Sequence, residues 1–108
     1  MASPEIVHVN GGNVKTITGA KAAVIDFTAT WCGPCQALAP ILDKLATEFK
    51  GKVSIGKCDI DENPDIAGEY GVMAVPTLLF IKDGQVVDQH AGLLPESNLR
   101  QRLAKLSA

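Results

Sequence analysis

Residues 22–35 read AAVIDFTATWCGPC, and the predicted fold is built around this segment. Its first seven residues are almost entirely apolar over the length of one strand, which is typical of a strand covered on both faces. Residues 34–49 follow, and their apolar side chains recur at intervals of three and four residues, as in an amphipathic helix. Pro34 suits the first turn of that helix, whereas Pro40 lies in its interior and predicts a kink. The stretch therefore predicts a buried strand that leads into a long helix.

The remaining segments alternate between strand and helix patterns. Strands are predicted at residues 5–9, 53–60, 77–82 and 85–90, and helices at residues 13–18, 63–70 and 95–106. Asp83 and Gly84, between the last two strands, form a dipeptide that strongly indicates a tight hairpin. Strands separated by helices favour parallel pairing, while a tight hairpin must be antiparallel. The sequence therefore predicts an α/β fold with a central mixed sheet, in which parallel strands and a C-terminal antiparallel hairpin are flanked by helices on both faces.

Composition and charge exclude several classes of protein. The chain has 108 residues, of which 46% are hydrophobic and 20% charged, a balance that disordered chains do not have. Ten basic and twelve acidic residues give a net charge of −2 without a basic stripe, which argues against nucleic-acid binding. No apolar run approaches the length of a bilayer span, and residues 1–5 do not resemble a secretory signal. We therefore expect a single domain, residues 1–108, that binds neither nucleic acid nor membrane and acts as a cytoplasmic monomer.

Cys32 and Cys35 lie at the start of the predicted long helix. Residues three apart in a first helical turn share one face, so the two sulfurs can form a short-loop disulfide. Unpaired N–H groups and the positive end of the helix dipole favour a thiolate there. Cys32 lies at the extreme end and feels this effect most. We therefore expect Cys32 to attack a partner's disulfide, and the more shielded Cys35 to resolve the mixed disulfide that forms.

Two other interpretations of these cysteines are weaker. A buried, inert pair would need neither the Gly-Pro spacer between its members nor the adjacent Trp31. Structural zinc prefers four ligands, and the remaining candidates, Cys58, His8 and His90, lie at no zinc-finger spacing. Cys58 falls in an apolar strand and is predicted to be a small buried hydrophobe. The sequence therefore favours a redox-active pair and predicts no metal site.

The sequence DFTATWCGPC at residues 26–35, together with VPT at residues 75–77 and Gly92, closely resembles the thioredoxin family. The resemblance extends over residues 6–106, and WCGPC is a highly specific signature. It implies the thioredoxin fold and a thiol–disulfide oxidoreductase that transports electrons to disulfides in client proteins by reversible oxidation of Cys32 and Cys35. It also implies that the protein needs no bound cofactor, that a thioredoxin reductase restores the dithiol, and that the clients are reductases, peroxidases and other thiol enzymes.

The resemblance also implies a role for Asp26. In thioredoxins the carboxylate at this position lies beneath the active site and helps to move a proton to or from the resolving thiol, and the residue at the Lys57 position is its neighbour. The sequence supports burial independently, because Asp26 is the one charge in an apolar strand. Burial is expected to raise the pKa of a carboxyl group. An ion pair between Asp26 and Lys57 is the alternative interpretation, and it is compatible with proton transfer.

Pro76 resembles the cis-proline that lies beside the disulfide in this family. The sequence alone also allows a trans proline that starts a strand. In the family the backbone before this proline, here Val75, pairs with an extended segment of the client. The resemblance adds a flat apolar docking rim, which consists of Trp31, Gly33, Pro34, Ala74, Ala91 and Gly92. Trp31 is expected to be partly exposed, because tryptophan is rarely buried whole.

The sequence leaves three functions open: a disulfide reductase, a disulfide-forming oxidant or isomerase, and a binding module without redox activity. Gln36 follows the second cysteine, where many thioredoxins carry Lys or Arg, so a cation that favours thiolate is absent at that position. Disulfide-forming oxidants and isomerases share the fold but usually carry histidine between the cysteines, and Pro34 therefore favours a reductant. A non-redox binding module that uses the same rim is the third possibility, because fold does not determine function.

Overall fold

The computed structural model describes residues 3–108 and contains every predicted element, each end within one residue of its predicted place. The strands are β1 (Ile6–His8), β2 (Ala22–Thr28), β3 (Ser54–Asp59), β4 (Thr77–Lys82) and β5 (Gln85–Ala91). The helices are α1 (Val14–Thr18), α2 (Gly33–Glu48), α3 (Pro64–Glu69) and α4 (Glu96–Ser107). Helix α2 includes Pro40 as an interior residue, and the kink at that position remains a prediction.

The five strands form one mixed sheet in the order β1-β3-β2-β4-β5. Strand β3 pairs in parallel with β1 and with β2, whereas β4 pairs antiparallel with β2 and with β5. Strand β2 therefore lies in the middle of the sheet and has a hydrogen-bonded neighbour on each side. The predicted mixed sheet is confirmed.

One expectation about strand direction was wrong. Strands separated by helices were expected to pair in parallel, but β4 follows α3 and runs antiparallel to β2. Helix α3 and the loops on either side of it return the chain to the edge at which β3 ends, and not to the edge at which β2 and β3 begin. The chain re-enters the sheet where β2 ends, and Thr77 pairs with Phe27.

Two apolar cores, one on each face of the sheet, confirm that helices cover both faces. Neighbouring residues of β2 point to opposite faces, so Val24 packs in one core and Ile25 in the other. The first core takes Leu38, Leu42 and Leu45 from α2 and Leu99 and Leu103 from α4. The second core takes Ile17 from α1 and Ile66 and Ala67 from α3. Both sets of helices are thereby fixed against the central strands.

The hairpin between β4 and β5 confirms the prediction from its turn residues. Asp83 and Gly84 have φ values of 51° and 77°, as expected for a two-residue turn in which both central residues adopt the left-handed region. The Asp83 N–H donates to the Lys21 carbonyl at 2.8 Å, and the Gly84 N–H donates to the Ala20 carbonyl at 3.1 Å. The turn therefore lies at the edge of the sheet where β2 begins.

The opposite edge of the sheet positions the cysteine pair, and we call it the dithiol edge. Strand β2 ends there at Thr28 and α2 begins at Gly33, so residues 29–32 form the connection between them. Strand β3 also ends at this edge, β4 begins there and β5 ends there. Three loops from distant parts of the sequence therefore meet the start of α2.

No helix in residues 3–108 is long and apolar enough to cross a membrane.

Candidate active site

Cys32 and Cys35 are joined by a disulfide at the first turn of α2, as their spacing predicts. Cys32 is the N-cap residue, and its backbone is extended, with φ −92° and ψ 113°. Its Sγ accepts a hydrogen bond from the Cys35 N–H at 3.2 Å. The same N–H group and the positive end of the helix dipole would stabilise a thiolate on Cys32 in the reduced protein. The helix terminus therefore acts on one sulfur specifically.

Both cysteines are largely covered by protein. Cys32 is 5% exposed and Cys35 is 2% exposed, and both pack with Ala29 in a small apolar cluster. Cys32 Sγ lies 3.7 Å from the Val75 carbonyl oxygen. The disulfide therefore lies directly against the loop that precedes β4.

The loop before β4 has the form that the resemblance implies. The Val75–Pro76 peptide bond is cis. The Thr77 hydroxyl donates to the Ala74 carbonyl at 2.6 Å, and the Gly92 N–H donates to the Pro76 carbonyl at 2.8 Å. These bonds hold the loop against the residues that follow β5, so both segments lie beside the disulfide.

The structure places the expected rim residues at the dithiol edge, in its loops, in the first turn of α2 and at the end of β5. Trp31 is 68% exposed, which confirms its expected exposure. Of the other rim residues, Gly33, Pro34, Ala74 and Ala91 are exposed and Gly92 is half-buried, while Val75 and Pro76 beside them are half-buried and buried. Exposed apolar residues thus lie at the same edge of the sheet as a disulfide that is itself mostly covered.

Three residues of this surface were missed in the sequence. Met73 is 96% exposed and Leu93 is 47% exposed, and each directly adjoins a predicted rim residue. An apolar residue in a loop next to the rim is a signal that could have revealed both. Asp61 accepts a hydrogen bond from Trp31 Nε1 at 2.8 Å. That contact joins residues thirty positions apart, and no local pattern predicts it.

Asp26 lies on β2 with no exposed surface. Neither of its carboxylate oxygens has a hydrogen-bond partner in residues 3–108. Loss of hydration raises the pKa of Asp26 from 3.8 to about 7, and the positive charge of Lys57 opposes that rise. Lys57 is the residue opposite Asp26 on β3 and is half-buried. The two charges therefore influence each other without a direct hydrogen bond, and the expected burial of Asp26 is confirmed.

The remaining candidate groups lie apart from this chemistry. Cys58 is fully buried in the second core, as predicted, and burial raises its pKa to about 11. It is therefore a thiol rather than a thiolate at neutral pH. His8 is exposed on β1, and His90 Nε2 lies 3.3 Å from the Leu93 carbonyl oxygen. Within residues 3–108 no three His, Cys, Asp or Glu side chains are close enough together to hold a metal ion.

Comparison with known proteins gives one consistent family. The family model for Thioredoxin matches residues 5–105. The thioredoxin of Staphylococcus aureus is 45% identical over 100 residues, which cover 93% of this chain and 96% of that protein. The thioredoxin of Chlorobaculum thiosulfatiphilum is 48% identical over 83 residues, which cover 77% of each chain.

Solved structures agree with this result. A mutant thioredoxin from Halobacterium salinarum NRC-1 superposes with a TM-score of 0.89 at 35% identity, covering 100% of this chain and 96% of that one. A second structure superposes with a TM-score of 0.85 at 34% identity. It comes from work on the thiol resolving mechanism of yeast mitochondrial 1-Cys peroxiredoxin via glutathione/thioredoxin systems. It covers 97% of this chain and 99% of that one.

Replacing Asp26 with alanine is expected to stabilise the oxidised protein at neutral and alkaline pH. The pKa of Asp26 is higher in the folded chain than its ordinary value of 3.8, so the folded state holds the proton more tightly. The free energy of unfolding of the wild type is therefore highest below pH 4. Ionisation of Asp26 lowers it by about 4 kcal/mol in total as the pH rises to about 7. Urea unfolding between pH 4 and pH 8 should show this loss in the wild type but not in Asp26→Ala.

Asp88→Ala is the matched control, because Asp88 is an exposed carboxylate on β5. It is expected to keep the pH dependence of the wild type between pH 4 and pH 7. If Asp26→Ala shows the same loss of stability with pH as the wild type, the carboxylate is not the group that carries it.

Proposed function

The chain belongs to the thioredoxin family and is a thiol–disulfide reductase with a redox-active Cys32–Cys35 pair, and we propose that the two cysteines divide its reaction between attack and resolution. The observation that carries this division is the hydrogen bond from the Cys35 N–H to Cys32 Sγ at the start of α2. That bond stabilises a negative charge on Cys32 Sγ and gives no such stabilisation to Cys35 Sγ. Cys32 is accordingly the nucleophile.

The reaction begins from the dithiol form. Cys32 thiolate attacks one sulfur of a client disulfide, so a mixed disulfide forms and the other client sulfur leaves as a thiolate. Cys35 thiolate then attacks Cys32 Sγ, which forms the intramolecular disulfide and releases the second client thiolate. Two electrons pass to the client, the two released thiolates take up protons, and the protein is left oxidised. A reductase must then supply two electrons to restore the dithiol.

Asp26 accepts or donates the proton of Cys35 during resolution. A general acid or base works best when its pKa is near the operating pH, and burial brings the pKa of Asp26 to about 7. Lys57, opposite Asp26 on β3, moderates the rise because its positive charge favours the carboxylate. Both residues therefore contribute to catalysis: Asp26 transfers the proton, and Lys57 lowers the pKa of Asp26.

Client proteins dock through backbone pairing and apolar contact. Val75 offers its main chain to an extended client segment beside the disulfide, which is a form of strand addition. Pro76 lies beside Val75, and the surrounding rim comprises Trp31, Gly33, Pro34, Ala74, Ala91 and Gly92. The exposed side chains of Met73 and Leu93 extend this rim. Recognition of backbone rather than of side chains would explain the use of many different clients.

The partners follow from the reaction. A thioredoxin reductase donates electrons, and disulfides of reductases, peroxidases and other thiol enzymes accept them. The protein acts in the cytoplasm as a monomeric single domain of residues 1–108. The peroxiredoxin context of one similar structure supports peroxidases as one class of client.

Cys35→Ser is expected to trap a mixed disulfide between Cys32 and a client, because attack is intact and resolution is lost. Non-reducing electrophoresis followed by mass spectrometry should locate the bond on Cys32. Cys32→Ser should form no adduct and should lose client reduction, and Cys58→Ser serves as the control with normal turnover. If Cys32→Ser formed an adduct on Cys35 as fast as Cys35→Ser forms one on Cys32, the assigned roles would be reversed. A Cys32→Ser, Cys35→Ser variant that retains full function would instead indicate a binding module.

Asp26→Ala is expected to slow client reduction by about tenfold or more at pH 7, because proton transfer to or from Cys35 is lost. Stopped-flow measurement should place the defect in resolution, while alkylation of Cys32 in the reduced protein remains close to the wild-type rate. Asp88→Ala should leave both rates unchanged. Normal resolution in Asp26→Ala would remove Asp26 from the mechanism.

Pro34→His is expected to make the protein more oxidising, because an imidazolium beside Cys32 stabilises the thiolate and thus the reduced state. A rise of about 30 mV corresponds to about 1.4 kcal/mol for this two-electron couple. Equilibration in glutathione buffers, with alkylated thiols counted by mass, should give a wild-type potential below that of the glutathione couple. A wild-type value well above it would identify an oxidant or isomerase, and an unchanged potential in Pro34→His would contradict the role of Pro34.

A further inference from the structure

Charged residues are strongly segregated along this chain. Residues 22–43, 58–81 and 83–99 contain no lysine or arginine, yet they hold ten of the twelve acidic residues. All ten basic residues lie outside these three stretches. The net charge of −2 therefore conceals a pronounced separation of charge.

The fold turns this separation into a difference between two ends of the molecule. The loops of the dithiol edge, residues 29–32, 59–63, 70–76 and 92–95, all belong to the stretches without basic residues. Four lysines lie at or near the opposite edge, where β2 and β3 begin and β4 ends: Lys21, Lys52, Lys82 and Lys105. Lys57 is the basic residue nearest in sequence to the dithiol loops, and it is half-buried opposite Asp26.

An acidic turn is fixed beside the docking rim. Asp59 Oδ1 accepts the backbone N–H groups of Asp61 and Glu62 at 2.8 and 3.2 Å. Asp61 in turn accepts the indole N–H of Trp31 at 2.8 Å. Ile60, in the same turn, packs on the cluster that contains Cys32 and Cys35. The turn is therefore held against Trp31 and against the cluster that contains the two cysteines.

Two further carboxylates extend this negative region. Glu62 and Asp65 are exposed, and they lie in the turn and in the first turn of α3. On the side of α2, Gln36 is exposed and uncharged. The apolar surface of Trp31, Met73 and Leu93 is thus bordered by negative charge, and the loops beside it contain no lysine or arginine to offset that charge.

We propose that the dithiol edge prefers client disulfides whose cysteines are flanked by lysine or arginine. The occupant is an extended client segment that pairs with Val75, places apolar residues on the rim and places basic residues beside the acidic turn. This preference rests on the proposed function and names its substrate class. At about 0.1 M ionic strength, opposite charges within about 10 Å of each other still attract and raise the rate of association. Like charges lower that rate for a client with acidic flanking residues.

Three disulfide peptides of equal length test the preference. They differ only in the residues beside the cysteines, which are lysine, glutamine or glutamate, and the second-order rate of reduction by the dithiol protein is measured for each. At low ionic strength the lysine peptide should react about tenfold faster than the glutamate peptide, a modest value for electrostatic steering. The ratio should approach one at high salt.

A pair of double variants places the effect on the molecule. Glu62→Gln with Asp65→Asn removes two charges beside the rim, whereas Glu5→Gln with Asp83→Asn removes two at the opposite edge. The first variant should lower the lysine-to-glutamate rate ratio by about threefold or more, and the second should leave it unchanged. The second variant should also reduce the glutamine peptide at the wild-type rate.

Each other outcome has a distinct meaning. Equal rates for the three peptides, or an equal fall of the ratio in both double variants, would overturn the preference while leaving reduction of the glutamine peptide intact. Failure of the wild-type dithiol to reduce any of the peptides would contradict the proposed function, and the preference would fall with it.

Discussion

The hydrogen bond from the Cys35 N–H to Cys32 Sγ is the interaction on which the site depends. It requires that a helix begin at Cys32, and that requirement is met because β2 ends four residues earlier in the middle of the sheet. Strand β2 is held by β3 and β4, and helix α2 is held by the first apolar core. A reactive sulfur is thereby fixed by the central strand and the first apolar core, while the loops of the dithiol edge lie around it.

The buried carboxylate of Asp26 places a cost on the same framework. A charge without hydrogen-bond partners in residues 3–108 occupies the central strand, and its desolvation opposes folding at neutral pH. Two continuous cores on either side of the sheet offset this cost. Part of the stability that packing provides thus offsets the burial of a carboxyl group whose pKa is about 7.

Most of the secondary structure followed from local patterns. The apolar run of β2, the helical spacing of α2 and the Asp83–Gly84 turn each specify an element through its own residues. The direction of β4 did not follow, because it depends on the edge at which the chain re-enters the sheet after α3 rather than on a pattern within β4. The site shows the same division: Cys32, Cys35 and the burial of Asp26 were readable, whereas the contact of Trp31 with Asp61 was not.

The elements, the cysteine pair at a helix start and the segregation of basic from acidic residues follow from the order of the amino acids alone, because each is a property of residues close together in the chain. Three features required the three-dimensional fold: four loops meet at one edge, Met73 and Leu93 are exposed in loops of that edge, and the acidic turn is fixed against Trp31. These features join residues tens of positions apart. Their positions depend on strand order and on packing across the sheet, which no local pattern encodes.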